Sequence, residues 1–241
     1  MNRNLLILFC LLLTLRSTGQ DDDIQRPDDI RANRVRTRTT LLGGGSRSTI
    51  VSSFDRAGRL TRWVLTDNET GKNPQVTIVY RYDSSGKAVA ATSISTTDTL
   101  HSAYEYGSDQ QLRRKITRFP NGTLQELSEF TYNPKFELVS RYWDNGEVYR
   151  QDSSFYDAQG RVARYSGVDE SDTLVRNWNY LLEHETDASG RLLRQVTRSE
   201  GKIILVEDFG YDARGLLLFK ESTHSMMGGF KSREQYTYTF Y

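Results

Sequence analysis

The stretch Tyr156-Asp157-Ala158-Gln159-Gly160-Arg161-Val162 decides how this 241-residue chain is read, because versions of it recur from end to end. Tyrosine closes a strand, aspartate caps a reversal, glycine supplies a positive φ, and valine starts the next strand. The closing position falls at Phe54, Tyr82, Tyr106, Tyr132, Tyr156, Thr186 and Tyr211, at spacings of 28, 24, 26, 24, 30 and 25 residues. A period held this closely marks a repeat architecture. One residue on stand Asp55, Asp83, Gly107, Asn133, Asp157, Asp187 and Asp212, all turn-formers. Four on come Gly58, Gly86, Gly160, Gly190 and Gly215, with Gln110 and Phe136 as exceptions, so the third and fourth copies are degenerate. Six on comes an apolar residue: Leu60, Ala88, Leu112, Leu138, Val162, Leu192 and Leu217.

A second, more variable set of turns lies between copies, including Asn121-Gly122 and Asn145-Gly146, and Asn-Gly is a strong hairpin signal. Rings recur two residues apart, as in Tyr80 and Tyr82, Tyr104 and Tyr106, Phe130 and Tyr132, and Phe209 and Tyr211. That spacing places both rings on one face of a strand. Each repeat is therefore two strands and two turns. With a leading strand and a closing strand at 235–241, the expectation is an all-β, antiparallel up-and-down meander of about seven repeated hairpins, fourteen to sixteen strands in all, forming a curled or spiralling sheet.

At Phe54-Asp55-Arg56-Ala57-Gly58-Arg59-Leu60, at Tyr156 to Val162 and at Asp187-Ala188-Ser189-Gly190-Arg191-Leu192 the chain resembles the YD-repeat, or Rhs-repeat, family. The resemblance spans about residues 35 to 241. It implies strips of antiparallel hairpins and carries no catalytic residue over. The family's repeat is usually a few residues shorter, so the variable turns here are longer, and the self-cleaving segment and toxic domain of large members have no counterpart.

Composition agrees with strands. Lys and Arg number 32 against 31 Asp and Glu, and Tyr accounts for 14 residues. This balance offers no basic field for nucleic acid. Arg3, an apolar run from Leu5 to Leu15 and the small residues Ser17-Thr18-Gly19 predict a cleaved signal peptide over 1–19, and the run is shorter than the about 20 residues a spanning helix needs. Residues 20–34, with Asp21, Asp22, Asp23, Asp28 and Asp29, predict a flexible acidic leader, followed by the repeat domain over 35–241. Arg34, Arg36 and Arg38 alternate and are expected on one face of a solvent-facing edge strand. Cys10 is the single cysteine and lies in the signal, so disulfides and thiolate chemistry are excluded from the mature chain.

The chemistry-bearing residues do not assemble into a catalytic motif. His101, His184 and His224 are far apart, and His184 stands where other copies carry a ring. Asp144, Glu147, Asp152, Asp169, Glu170 and Asp172 are a glycosidase's residue type, but they fall at or near predicted turns. No metal or other cofactor is expected. Arg62, Arg114, Arg164 and Arg194 each follow the closing position by eight residues, which strict alternation puts on the face of the apolar position. With Tyr106 and Tyr156 they are the candidate binding residues, a ladder for a polysaccharide or a packing contact within the sheet. A transmembrane barrel is disfavoured because Leu112 to Arg118 carries Arg114 and Arg118 on one face and Arg113 and Lys115 on the other. The expectation is thus a secreted or periplasmic, non-catalytic binding or structural scaffold of the bacterial envelope, with cell-surface association as one option. Its expected partners are a polysaccharide or an envelope protein, with neither nucleic acid nor a membrane span. A carbohydrate-active hydrolase and an outer-membrane β-barrel are the alternatives.

Overall fold

The computed structural model describes residues 27–43, 48–67, 75–133, 136–142, 146–170, 175–225 and 228–241. The signal peptide, residues 20–26 of the leader, Asp144 and Asp172 lie outside these. One short helix, α1 (Pro27–Ala32), precedes sixteen strands: β1 (Val35–Leu42), β2 (Ser48–Phe54), β3 (Leu60–Asp67), β4 (Val76–Tyr82), β5 (Ala88–Ser95), β6 (Thr99–Tyr106), β7 (Leu112–Arg118), β8 (Leu124–Asn133), β9 (Phe136–Tyr142), β10 (Val148–Tyr156), β11 (Val162–Asp169), β12 (Arg176–Thr186), β13 (Leu192–Ser199), β14 (Lys202–Tyr211), β15 (Leu217–His224) and β16 (Phe230–Phe240). The up-and-down meander is as expected. The curled or spiralling sheet is not: β1 pairs with β16 and the sheet closes into a sixteen-stranded barrel. The closing register runs from Val35 opposite Phe240 to Leu42 opposite Glu234, satisfying the two edges an open sheet would leave unpaired.

Closure also corrects the readings of the first strand and of the leader. A register shift between Val35 and Thr37 breaks the alternation of the three arginines. Arg36 is exposed, Arg34 precedes the strand with a φ of 51°, and Arg38 is only 7% exposed with its guanidinium 5.7 Å from the Tyr236 ring centroid. Residues 27–32, expected to be flexible, form α1, whose Ile30 is 2% exposed and packs with Val35, Phe54 and Leu216. Asn33 Nδ2 donates to Asp29 O at 2.9 Å, and Tyr241 N donates to Arg34 O at 3.0 Å. The helix therefore sits over the seam where first and last strands meet.

The repeated turn is a five-residue reversal with one chemistry. In the fifth copy Asp157 N donates to Arg161 O at 2.8 Å, Gly160 N donates to Asp157 O at 3.0 Å, and Asp157 Oδ1 accepts from Gln159 N and Arg161 N at 2.9 Å each. Gly160 has a φ of 77°, a left-handed value that Gln110 adopts in the third copy at 68°. The same pattern closes the turns at Asp55, Asp83, Asp187 and Asp212. Neighbouring copies interlock through the ring: Tyr82 OH donates to Leu60 O at 2.6 Å, Tyr106 OH to Ala88 O at 2.9 Å and Tyr211 OH to Leu192 O at 2.9 Å. The cation before the apolar position lies over the next copy's ring, as Arg59 over Tyr82 at 5.0 Å and Arg191 over Tyr211 at 5.5 Å. These turns form one rim of the barrel, and the variable turns form the other.

A β-bulge follows each regular turn. Tyr156 pairs with Val162 but Phe155 pairs with Arg164, so Ala163 is the extra residue. Beyond the bulge the two faces exchange. The fourth copy lacks the bulge, with Asn133 opposite Phe136, so Leu138 points outward and Val139, 6% exposed, faces inward in its place. Exposure alternates along the strands, clearly in β12, where residues 177, 179, 181, 183 and 185 are exposed and 178, 180, 182, 184 and 186 are not. The more buried face is the concave, lumen-facing one, where side chains converge. Its apolar residues gather near the repeated-turn rim, as in the cluster of Leu112, Phe130, Val139, Tyr104, Tyr106 and Tyr132.

Candidate functional site

The four arginines and two tyrosines singled out in the sequence do not come together. Tyr106 and Tyr156 face the lumen, at the positions paired with Leu112 and Val162. The bulge turns Arg62, Arg114, Arg164 and Arg194 outward, opposite Ser53, Glu105, Phe155 and Glu185. They stand on β3, β7, β11 and β13, which are not adjacent, so they form no ladder. Arg114 pairs with Glu129 at 2.7 Å and Arg194 with Asp208 at 3.6 Å. Arg164 donates to Asn179 Oδ1 at 3.0 Å and lies 5.0 Å from the Phe155 ring centroid.

The densest chemistry lies on the lumen side of β8 to β12. Asp152, taken as a turn acid in the sequence, sits mid-strand at 5% exposure. It accepts from Arg150 Nε at 2.9 Å, from Arg150 Nη2 at 3.1 Å and from Tyr165 OH at 2.5 Å, and it pairs with Arg141. Arg150 also reaches Asp169 at 3.5 Å, and Arg141 reaches Glu126 at 3.8 Å. Glu126 in turn accepts from Tyr149 OH and Ser128 Oγ at 3.0 Å each. Arg150 stacks over Trp178 at 5.1 Å, and Trp178 lies against Gly167, where any β-carbon would strike its ring and the Gln151 carbonyl. Glycine is required there by close approach rather than by φ.

A second polar chain crosses β12 to β16. His184 Nε2 lies 3.2 Å from Gln195 Oε1, and Gln195 Nε2 donates to Glu207 Oε2 at 3.1 Å. Lys220 Nζ bridges Glu207 at 3.7 Å and Glu234 at 2.6 Å, and Glu234 accepts from Tyr236 OH at 2.6 Å. His184 therefore does take a ring's place in the wall, with a hydrogen bond added. Across β2 to β6 the lumen side is different, carrying Ser52, Trp63, Ile78, Tyr80, Ala91, Ser93, Ser102 and Tyr104.

Electrostatics keeps Asp152 and Lys220 charged and Tyr165 neutral. Burial works to raise the Asp152 pKa, but the Arg150 hydrogen bonds, the Arg141 charge and the Tyr165 hydroxyl outweigh it, and the carboxyl is held low. Burial, with the Asp152 charge beside it, pushes Tyr165 up to about 12. Burial disfavours the Lys220 ammonium, yet Glu234 and Glu207 reverse the effect and hold it protonated. Two of the acids named in the sequence, Asp152 and Asp169, do converge, but on Arg150. A glycosidase pair needs one carboxyl raised to serve as an acid. Among the described residues no cluster of three or more His, Cys, Asp or Glu side chains is arranged to hold a metal ion.

No protein-family model matches the chain. No curated protein matches it either. Solved structures do. A porin-like protein from Bacteroides vulgatus ATCC 8482 superposes with a TM-score of 0.52 at 12% identity, covering 85% of this chain and 98% of that one. A porin-like protein from Bacteroides uniformis ATCC 8492 has a TM-score of 0.47 at 10% identity, over 86% and 97%. At such identity the former likeness establishes the barrel fold alone. The charged lumen residues were hidden in the sequence because their strands show no distinctive spacing, and only pairing across β8 to β12 assembles them. The one available signal was that Asp152 interrupts an otherwise turn-free strand pattern.

Proposed function

We propose that this protein is a non-catalytic barrel of the cell envelope, porin-like in architecture, that stands in water and works by binding. The observation that carries the reading is the chemistry of the outer wall. Arg114 with Glu129, Arg198 with Glu183, Arg194 with Asp208 and Arg233 with Glu221 form ion pairs on outward positions. An arginine or lysine on the lipid face costs about 2 to 4 kcal/mol at the midplane, so this wall suits water. Support for the envelope comes from the apolar segment Leu5 to Leu15 and from the barrel likeness. Support for a non-catalytic role comes from the mutual neutralisation of Asp152, Asp169 and the arginines between them. Kinship with YD-repeat proteins is supported by the recurring aspartate turn and its interlocking tyrosine.

The outer-membrane barrel is the second reading. Closure at sixteen strands and the porin-like neighbour favour it over an open scaffold, since a ring this wide encloses an aqueous channel. Detergent phase partitioning of the protein from an envelope fraction decides between the two. Recovery in the aqueous phase is expected, and recovery in the detergent phase would replace the first reading by the second.

A further inference from the structure

Among the described residues, two neighbouring cations on the outer wall are unmatched. From β7 to β16 the outward arginines have partners: Arg114, Arg194, Arg198 and Arg233 pair with acids, Arg164 with Asn179, and Arg118 donates to Gly122 O at 3.0 Å. Arg62 and Arg81 are exposed and make no hydrogen bond, ion pair or ring contact with the described residues. Both point outward from adjacent strands. Arg62 is opposite Val79, and Arg81 is two residues beyond Val79, a diagonal separation of about 7 to 8 Å. Like charges at that distance repel, and the nearest outward acid in register, Glu105 on β6, already faces Arg114.

The surface beside these arginines is built from small and hydrogen-bonding residues. Across the register, Val79 is opposite Thr92 and Thr92 opposite His101, while Arg81 is opposite Ala90 and Ala90 opposite Ala103. Thr92 Oγ1 and His101 Nδ1 are 3.3 Å apart. A depression of about 350 Å³ lies here, lined by Val79, Arg81, Ala90, Thr92 and His101 among others, with Arg62 outside the lining but opposite Val79. The short side chain of Ala90 leaves the floor low, and Val79, 44% exposed, gives it an apolar surface.

We infer that this depression is a binding site for an acidic polysaccharide. Arg62 and Arg81 take an oxyanion, a sugar ring lies on Val79 and Ala90, and Thr92 and His101 hydrogen-bond its hydroxyls. Guanidinium groups suit carboxylate and phosphate, and the volume matches one or two sugar units better than a membrane surface, which cannot follow a recess in a convex wall. The inference rests on the outer wall standing in water. Detergent partitioning tests that separately, so a protein in the aqueous phase that ignores the polymer refutes this site alone.

The experiment is native affinity electrophoresis of the full chain in gels containing polygalacturonate, with neutral dextran as control. Retardation by polygalacturonate and none by dextran is expected. The Arg62→Gln, Arg81→Gln double variant should weaken binding about tenfold or more, the effect of losing at least one charge-assisted hydrogen bond. Arg194→Gln, removing an outward arginine that has its own acid, should leave binding unchanged. Inorganic phosphate should compete with the polymer for the unaltered protein, a readout independent of how the double variant folds. Equal retardation in the double variant, indifference to phosphate, or binding to phosphatidylglycerol vesicles in place of the polymer would each overturn the assignment.

Discussion

The two arcs of the barrel differ on the side that faces the lumen. Over β2 to β6 the wall carries Ser52, Ala91, Ser93 and Ser102 set among Trp63, Ile78, Tyr80 and Tyr104, with neutral side-chain hydrogen bonds such as Ser102 Oγ with Thr117 Oγ1 at 3.0 Å. Over β8 to β16 the wall is crossed by ion pairs from Glu126 to Asp169 and from Glu207 to Glu234. Both arcs are built from the same repeated turn. The turn therefore joins strands all round the ring, and the lumen residues distinguish its sectors. Removing one partner from a buried ion pair costs far more than removing a neutral hydrogen bond, so the arcs should respond differently to damage.

Excision gives the largest contrast. Deleting residues 83–106 removes β5 and β6 as one repeat, keeps the strand number even and spares the ionic arc. A folded barrel is expected by circular dichroism and gel filtration. Deleting 157–186 removes β11 and β12, taking Tyr165, Asp169 and Trp178 from around Arg150, and should leave an unfolded chain. Equal tolerance of both deletions would show the arcs to be energetically alike.

A point substitution sharpens the same contrast. Asp152→Ala removes the carboxylate that Arg141 and Arg150 share, leaving them only the longer pairs to Glu126 and Asp169, and should cost about 3 to 5 kcal/mol in chemical denaturation. Ser102→Ala on the other arc should cost about 1 kcal/mol, one neutral hydrogen bond. The smallest effect is expected from pH. The folded pKa values of Asp152 and of the turn aspartates Asp55, Asp157, Asp187 and Asp212 are depressed. Such groups stabilise the fold above the unfolded carboxyl value of about 4 and lose that contribution as pH falls through their folded values. The melting temperature should drop below about pH 4, less steeply in Asp152→Ala, and a flat profile would count against the network.

Much of this molecule was legible as sequence. The spacing of Tyr, Asp and Gly located the reversals, and the shared face of Phe130 and Tyr132 survives as a stacked pair with centroids 6.4 Å apart. Facing was not legible beyond each turn. A bulge residue such as Thr61 or Ala163 inverts the alternation, so Arg62 and Arg164 lie opposite to where strict period-two counting puts them. Ile30 was hidden among acidic residues, where one apolar side chain carries no periodic signal.

What the amino-acid sequence determined by itself is local: where the chain reverses, which ring closes each strand, and that fourteen to sixteen strands follow one another in order. These depend on contacts within about six residues, such as Asp157 to Arg161. What only the tertiary structure decided is closure and assembly. The pairing of Val35 with Phe240 and the meeting of Arg141, Arg150, Asp152 and Tyr165 join positions whose sequence separations follow no motif. Register across strands brings them together, and register is set by the summed pairing of the whole sheet.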